Sequence, residues 1–445
     1  MALSQVKLDQ EAPGIRCAAA SDVGMRRRNN QDSLAVALAE SSKSWRERGH
    51  LFVIADGMGA HAAGELASKL ATDHIPLAYH KARDRDPADS LVEAVHEANE
   101  RIHRKGQDSV DFHGMGTTCC CLLLLPSGAL TAHVGDSRIY RLRGNAFEQL
   151  TFDHSLVWEM GAAGQASDAD VPAFVPRNVI TRSLGPHPQV KVDVEGPFPI
   201  SPGDRFLLCS DGLTGPLNAE LIGLVLATLP PKDAAQTLVD LANLLGGPDN
   251  ISVITIEAAD LARIDGGRDA QPRHAPVDRG PRPGGFAWRQ AAGWIGAGLA
   301  AAAAALGLAV GGSGWAWAAA IAAAGLAWQG VRAGGGPAAS NPRDVGGPPG
   351  KAPYRRYEVG ANAHLIDVLG DIVRQIEDLE AQREWGFDWT DIHEDRSLAH
   401  GAIARGDLTG AVVAYCRAVR RLMKSLRDAQ GRGSSDSTIN LDEEG

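Results

Sequence analysis

The sequence predicts an α+β domain followed by a separate helical region, and three observations carry that prediction. Apolar runs of strand length recur between turns from Ile15 to about residue 258, and they come in groups with two longer helical patterns set between them, which does not fit a simple β-α alternation. Four aspartates stand at the ends of such runs beside a glycine or tight turn: Asp56 after Leu51 to Ala55, Asp136 after Leu130 to Gly135, Asp211 after Phe206 to Ser210, and Asp249 just ahead of Ile251 to Ile256. Beyond residue 258 the composition changes, and apolar residues next recur with helical spacing. One Asp-Gly pair is ordinarily a turn. Four acids at strand ends read as oxygen ligands gathered at one end of a sheet, where they repel one another unless cations sit among them.

At 445 residues the chain exceeds a single core. Its 44 Lys+Arg against 54 Asp+Glu leave a net charge of -10, which excludes a general nucleic-acid binder and any nucleic-acid partner of that kind. The six cysteines show no C-x-x-C spacing, so no zinc or thiol redox site is expected, and Cys119-Cys120-Cys121 read as packed strand residues with reduced thiols. The N-terminus lacks an apolar core of signal-peptide length.

In chain order, residues 1–14 read as a loose leader and Ile15 to Asp22 as a first strand. Leu66 to His80 and Pro87 to Lys105 carry helical spacing, the second with Leu91, Val92, Val95, Ala98 and Ile102 along one side. Residues 259–287 are a Pro/Gly/Arg-rich linker. In 288–332 two uncharged apolar segments with tryptophans near their ends are separated by Gly311-Gly312-Ser313-Gly314, a candidate transmembrane helical hairpin. Arginines and Lys351 flank it on both sides, which places both soluble parts in the cytoplasm at the inner membrane face. Residues 333–353 are a second Gly/Pro linker. Residues 354–430 form a helical unit, with a stripe from Leu365 to Leu379, and Ala402 to Val419 resembles the turn and second helix of a tetratricopeptide repeat. One such unit cannot bury its own face. The tail 431–445 is acidic and reads as disordered.

Seven short blocks then bear on chemistry: Ser21 to Ser33, Asp56-Gly57-Met58-Gly59-Ala60-His61 through Glu65, Gly114 to Thr118, Val134-Gly135-Asp136-Ser137-Arg138, Thr151 to Ser155, Ser210-Asp211-Gly212 and Gly247-Pro248-Asp249-Asn250. In order and spacing, across residues 15–258, they resemble the bacterial branch of the metal-dependent protein phosphatases of type 2C. The resemblance implies a four-layer αββα sandwich and hydrolysis of phosphoserine and phosphothreonine on proteins by a hydroxide bridging two Mn²⁺ or Mg²⁺ ions, with a possible third. It implies that Asp56 bridges both metals, that Asp211 and Asp249 hold the first, and that the Gly57 carbonyl serves the second. By the same resemblance Asp32 would order metal waters, Asp136 would join Asp211 at the third site, and Arg27 would clamp the substrate phosphate with His61 contacting the substrate nearby. Ser155 to Asn178 resemble the family's helix and mobile flap, which Asp153 and His154 would brace. Gln31 and Met58 depart from the pattern of many relatives, which have Glu and, in eukaryotic members, His there. Partners implied are phosphoproteins, Ser/Thr kinases or their substrates, together with a membrane and an unidentified protein for the C-terminal helices. The alternatives are a pseudophosphatase and a membrane-anchored interaction module acting through residues 354–430.

Overall fold

The computed structural model of the chain describes residues 5–12, 14–60, 62–162, 179–259, 352–383 and 386–435. Their strands build two antiparallel sheets. The seven-stranded sheet runs β1 (Gln5–Ala12), β2 (Ile15–Asp22), β12 (Ile251–Ala258), β11 (Arg205–Cys209), β8 (Arg138–Arg143), β9 (Ala146–Gln149) and β13 (Arg355–Glu358). The six-stranded sheet runs β10 (Asp193–Phe198), β7 (Gly128–Val134), β6 (Cys119–Leu125), β4 (His50–Met58) and β3 (Asp32–Ala37), with β5 (Gly116–Thr117) beside β4.

Strand alternation sorts the apolar residues into separate cores. Phe52, Ile54, Leu122 and Leu124 of one sheet meet Cys17, Ala19, Phe206, Leu208, Ile254 and Ile256 of the other. The opposite face of the six-stranded sheet, with Leu51, Val53, Cys121 and Leu123, is covered by α2 (Ala63–Lys81) and α3 (Pro87–Asp108). The cysteine triplet shows the alternation directly: Cys120 faces the other sheet while Cys119 and Cys121 face the helices. All six thiols are free and buried. Helix α3 starts where Asp86 accepts a hydrogen bond from the Ala88 amide and Pro87 takes the first turn, a position that needs no amide donor.

The outer face of the seven-stranded sheet is covered by α6 (Ala219–Thr228) and α7 (Pro231–Leu244), and this core continues into α8 (Ala363–Arg383), α9 (Thr390–Ala404) and α10 (Leu408–Ser435). Leu365, Leu369, Val373, Val412, Val419 and Leu422 belong to the same apolar cluster as Leu224, Val225, Leu238 and Val239. The helical pair α9–α10, which turns at Gly406 with φ +74°, thus buries against the sheet domain the face it could not bury alone. Ion pairs flank the junction: Arg420 to Asp233 at 2.6 Å and Arg427 to Asp240 at 2.9 Å.

Two expectations change. Residues 5–12, read as part of a loose leader, form β1 along β2, with Leu8 and Ala12 against the inter-sheet core. Residues 355–358, placed in an all-helical unit, form β13 on β9, with Tyr357 against Phe147. Both are edge strands with mostly polar side chains, held by main-chain pairing that hydropathy does not register. The candidate hairpin at 288–332 lies outside the described residues, and among the described residues no helix is long and apolar enough to cross a membrane.

Because α10 shares a core with α6 and α7, Leu422→Ala should lower stability by roughly 2–5 kcal/mol. Native-state hydrogen exchange should accelerate in α7 and α10 together; acceleration confined to α10 would mean that the two fold independently.

Candidate active site

The acids meet because strand register and loop packing bring them together. Asp32 opens β3 and Asp56 lies near the end of β4, and the antiparallel register sets them directly opposite each other, so their side chains leave the same face. Asp136 follows β7 in the turn after Gly135, Asp211 opens the short helix α5 (Asp211–Thr214) after β11, and Asp249 lies between α7 and β12.

Polar neighbours hold each acid. The Asp56 amide donates to Thr118 Oγ1 at 2.9 Å, and its carbonyl accepts from the Thr118 amide at 2.8 Å and from Thr117 Oγ1 at 2.9 Å. Ser210 Oγ donates to Asp32 Oδ2 at 2.8 Å. The Asn250 side chain fastens the loop 22–31 to the loop bearing Asp249: its Nδ2 donates to the carbonyls of Val23 and Asn29, both at 2.9 Å, and its Oδ1 accepts from the Gln31 amide at 2.8 Å. Two glycines make these approaches possible. At Gly24, with φ +79°, a Cβ would stand 2.1 Å from the Asp249 carbonyl oxygen, and at Gly57 it would stand 2.0 Å from that of Gly64.

Arg27 extends from the same loop, and its Nη2 donates to Asp249 Oδ2 at 2.8 Å. Its side chain is 51% exposed and that of Asp249 34%, so the pair is weakly held and the guanidinium is accessible to an incoming anion. His154 and Asp153 brace the turn of Asp136. His154 Nδ1 accepts from the Gly135 amide at 2.9 Å, and its own amide donates to the Gly135 carbonyl at 2.7 Å. Asp153 is paired with Arg138 at 2.6 Å. Helix α4 (Leu156–Ala162) follows, and the Leu156 amide bonds the Val179 carbonyl at 3.0 Å. The rest of the expected flap, residues 163–178, and His61 lie outside the described residues.

Electrostatically the cluster is under strain. Burial, reinforced by the charges of Asp211 and Asp249, pushes Asp32 up to about 7 despite its serine hydrogen bonds. Burial and the Asp211 charge push Asp136 up to about 7. Asp56 is raised well above the carboxylate range, by burial and then by Asp32, Asp211, Asp136 and Asp249, and Asp211 is raised by burial and Asp249. Asp32 Oδ1, Asp136 Oδ1 and Asp211 Oδ1 are buried without a hydrogen-bond partner. Orphaned carboxylate oxygens with no nitrogen or sulfur donor among these acids fit hard dications such as Mg²⁺ or Mn²⁺. Among the described residues no three His, Cys, Asp or Glu side chains close into a preformed metal-holding group.

Thr117, Thr118, Ser210 and Asn250 stand in the sequence blocks, yet sequence reasoning assigned them no role. The signal was present as a hydroxyl or amide beside an aspartate in Ser210-Asp211 and Asp249-Asn250.

The family model described as Protein phosphatase 2C matches residues 25–246. The protein phosphatase PhpP of Streptococcus pneumoniae is 36% identical over 248 residues, which cover 53% of this chain and 94% of that protein. The chain belongs to the protein phosphatase 2C family. Among solved structures, the Mycobacterium tuberculosis serine/threonine phosphatase PstP/Ppp is 34% identical and covers 55% of this chain and 99% of its own, with a TM-score of 0.48. The catalytic domain of PstP in complex with two manganese ions is 33% identical, with the same coverage and TM-score. The family model ends at residue 246, so α8 to α10 of this 2C phosphatase lie beyond it.

Replacing one acid should relieve repulsion in this 2C phosphatase when no cation is present. Asp211→Asn is expected to raise the stability of chelator-treated protein by up to about 1 kcal/mol, the scale of a close like-charge contact. It should also abolish most of the thermal stabilisation by added Mn²⁺ seen in the parent chain. A thermal melt with and without Mn²⁺ checks both.

Proposed function

We propose that this member of the protein phosphatase 2C family is a metal-dependent protein serine/threonine phosphatase, removing phosphate from serine and threonine side chains of proteins. The observation that carries this reading is the convergence of Asp32, Asp56, Asp136 and Asp211, with unpartnered buried oxygens on three of them, beside an accessible arginine.

In this reading Asp56, Asp211, Asp249 and the Gly57 carbonyl would hold two dications, with Asp32 behind them and Asp136 joining Asp211 at a third. Bound there, the cations supply positive charge against the phosphoryl oxygens and acidity for the attacking water. The chain's own residues do the rest. Arg27 exchanges its exposed contact with Asp249 for the oxygens of the substrate phosphate, for which a planar guanidinium offers paired donors. The Asn250 clip keeps the Arg27 loop seated on the Asp249 loop, and Thr117 and Thr118 hold the Asp56 backbone in place, so the phosphate and the acids meet in one orientation. The substrates in view are phosphoproteins such as kinases or their targets. Placement at the cytoplasmic membrane face rests on the uncharged apolar sequence between Arg289 and Arg332 and its basic flanks, and retention of the full chain in membranes after alkaline extraction tests it.

The full chain with Mn²⁺ should release phosphate from phosphoserine and phosphothreonine peptides. Asp56→Asn should lower kcat by about 100-fold or more, the usual scale for loss of a group acting on transition-state charge. Arg27→Ala should act mainly by raising KM, by about tenfold, if its contact is made already in the bound substrate. A parent chain that binds these peptides without turnover would favour a phosphoprotein-binding role instead.

A further inference from the structure

Helix α10 carries Arg417, Arg420, Arg421, Lys424 and Arg427 at spacings of three and four residues, which places them along one side of the helix. Such a basic stripe runs against the chain's net charge of -10. These five cations line a cavity of about 430 Å³ whose opposite wall is Gln236 and Asp240 of α7. None of the lining residues belongs to the catalytic cluster.

The neighbouring carboxylates orient the cations without using up their donors. Asp395, on α9, takes Arg417 Nε at 3.1 Å and Arg421 Nε at 3.2 Å. Asp233 takes Arg420 Nη1 at 2.6 Å, and Asp240 takes Arg427 Nη2 at 2.9 Å. Arg421 Nη1 also pairs with Asp391 at 3.0 Å; a guanidinium has five N–H donors, so Arg417, Arg420 and Arg421 have donors beyond these pairings. Lys424 is exposed and makes no ion pair among the described residues. Among the described residues Asp240 is the one carboxylate in the cavity's lining.

We infer that the cavity between α7 and α10 is an anion site that binds a phosphate group, either free or as the head of a small phosphate ester. Several forked donors held in a concavity suit a tetrahedral dianion with three or four acceptor oxygens. The cavity volume also leaves room for an ester group beyond the phosphate. The site borders the catalytic loop: Arg427 Nη2 also lies 3.5 Å from Asp22 Oδ2, and Asp22 Oδ1 accepts from the Gly24 amide at 2.7 Å at the base of the turn leading to Arg27.

Titration calorimetry on the metal-loaded full chain tests the inference, with inorganic phosphate and glycerol phosphate as separate probes. An Arg27→Ala background weakens phosphate binding at the proposed catalytic site without removing the cations there, and the Lys424 variants, which lie outside that site, separate the cavity from it. Phosphate should still bind to Arg27→Ala, with a component that responds to substitution of Lys424. Adding Lys424→Gln should weaken it about threefold, the worth of one exposed charge, and Lys424→Glu about tenfold, at unchanged Tm. The tighter probe identifies the source as free phosphate or an ester. No binding to Arg27→Ala, or binding indifferent to Lys424→Glu, overturns the site. Lys424 is exposed and makes no ion pair among the described residues, so both variants should keep the fold.

Discussion

Like charges crowded at the end of two sheets set the terms for this structure. Asp32 and Asp56 oppose each other across β3 and β4, and Asp136, Asp211 and Asp249 add to the same field. Folding must hold these groups together against repulsion and the loss of water. The surrounding polar contacts answer that need. Ser210 bonds Asp32, Thr117 and Thr118 lock the Asp56 backbone, and Asn250 ties the loop 22–31 to the loop of Asp249. None of these contacts neutralises charge. They fix geometry and leave three carboxylate oxygens unpartnered, which is what a site built for hard cations requires.

The C-terminal helices are bound into the same framework. Their apolar face completes the core over α6 and α7, and β13 extends the seven-stranded sheet at β9. Arg427 reaches both Asp240 on α7 and Asp22 at the end of β2. A chain of direct contacts therefore runs from α10 through Asp22 and Gly24 to the loop carrying Arg27, and through Asn250 to Asp249. Physical contact between an accessory helix and a catalytic loop is the minimum condition for one to influence the other.

Much of the architecture was legible in the residues. Helices α2 and α3 follow from apolar spacing over long stretches, and the cysteine triplet behaves as strand residues because alternation sends its members to opposite cores. Edge strands β1 and β13 were not legible, since their cohesion lies in main-chain hydrogen bonds and their side chains are largely polar. Nor were the roles of Thr118, Ser210 and Asn250, whose partners lie 62, 178 and up to 227 residues away in the chain.

By itself the sequence determined the chemistry on offer: aspartates placed where apolar runs end, glycines beside them, an arginine in a polar loop, and no thiol or imidazole set of metal-site spacing. Local pattern settles such matters because strand ends and tight turns depend on near neighbours. Only the tertiary structure decided that Asp32 faces Asp56, that Asn250 joins the two loops around Arg27, and that α10 lays its basic stripe along α7. Those relations come from sheet register and the docking of distant segments, which are settled by packing over the whole domain.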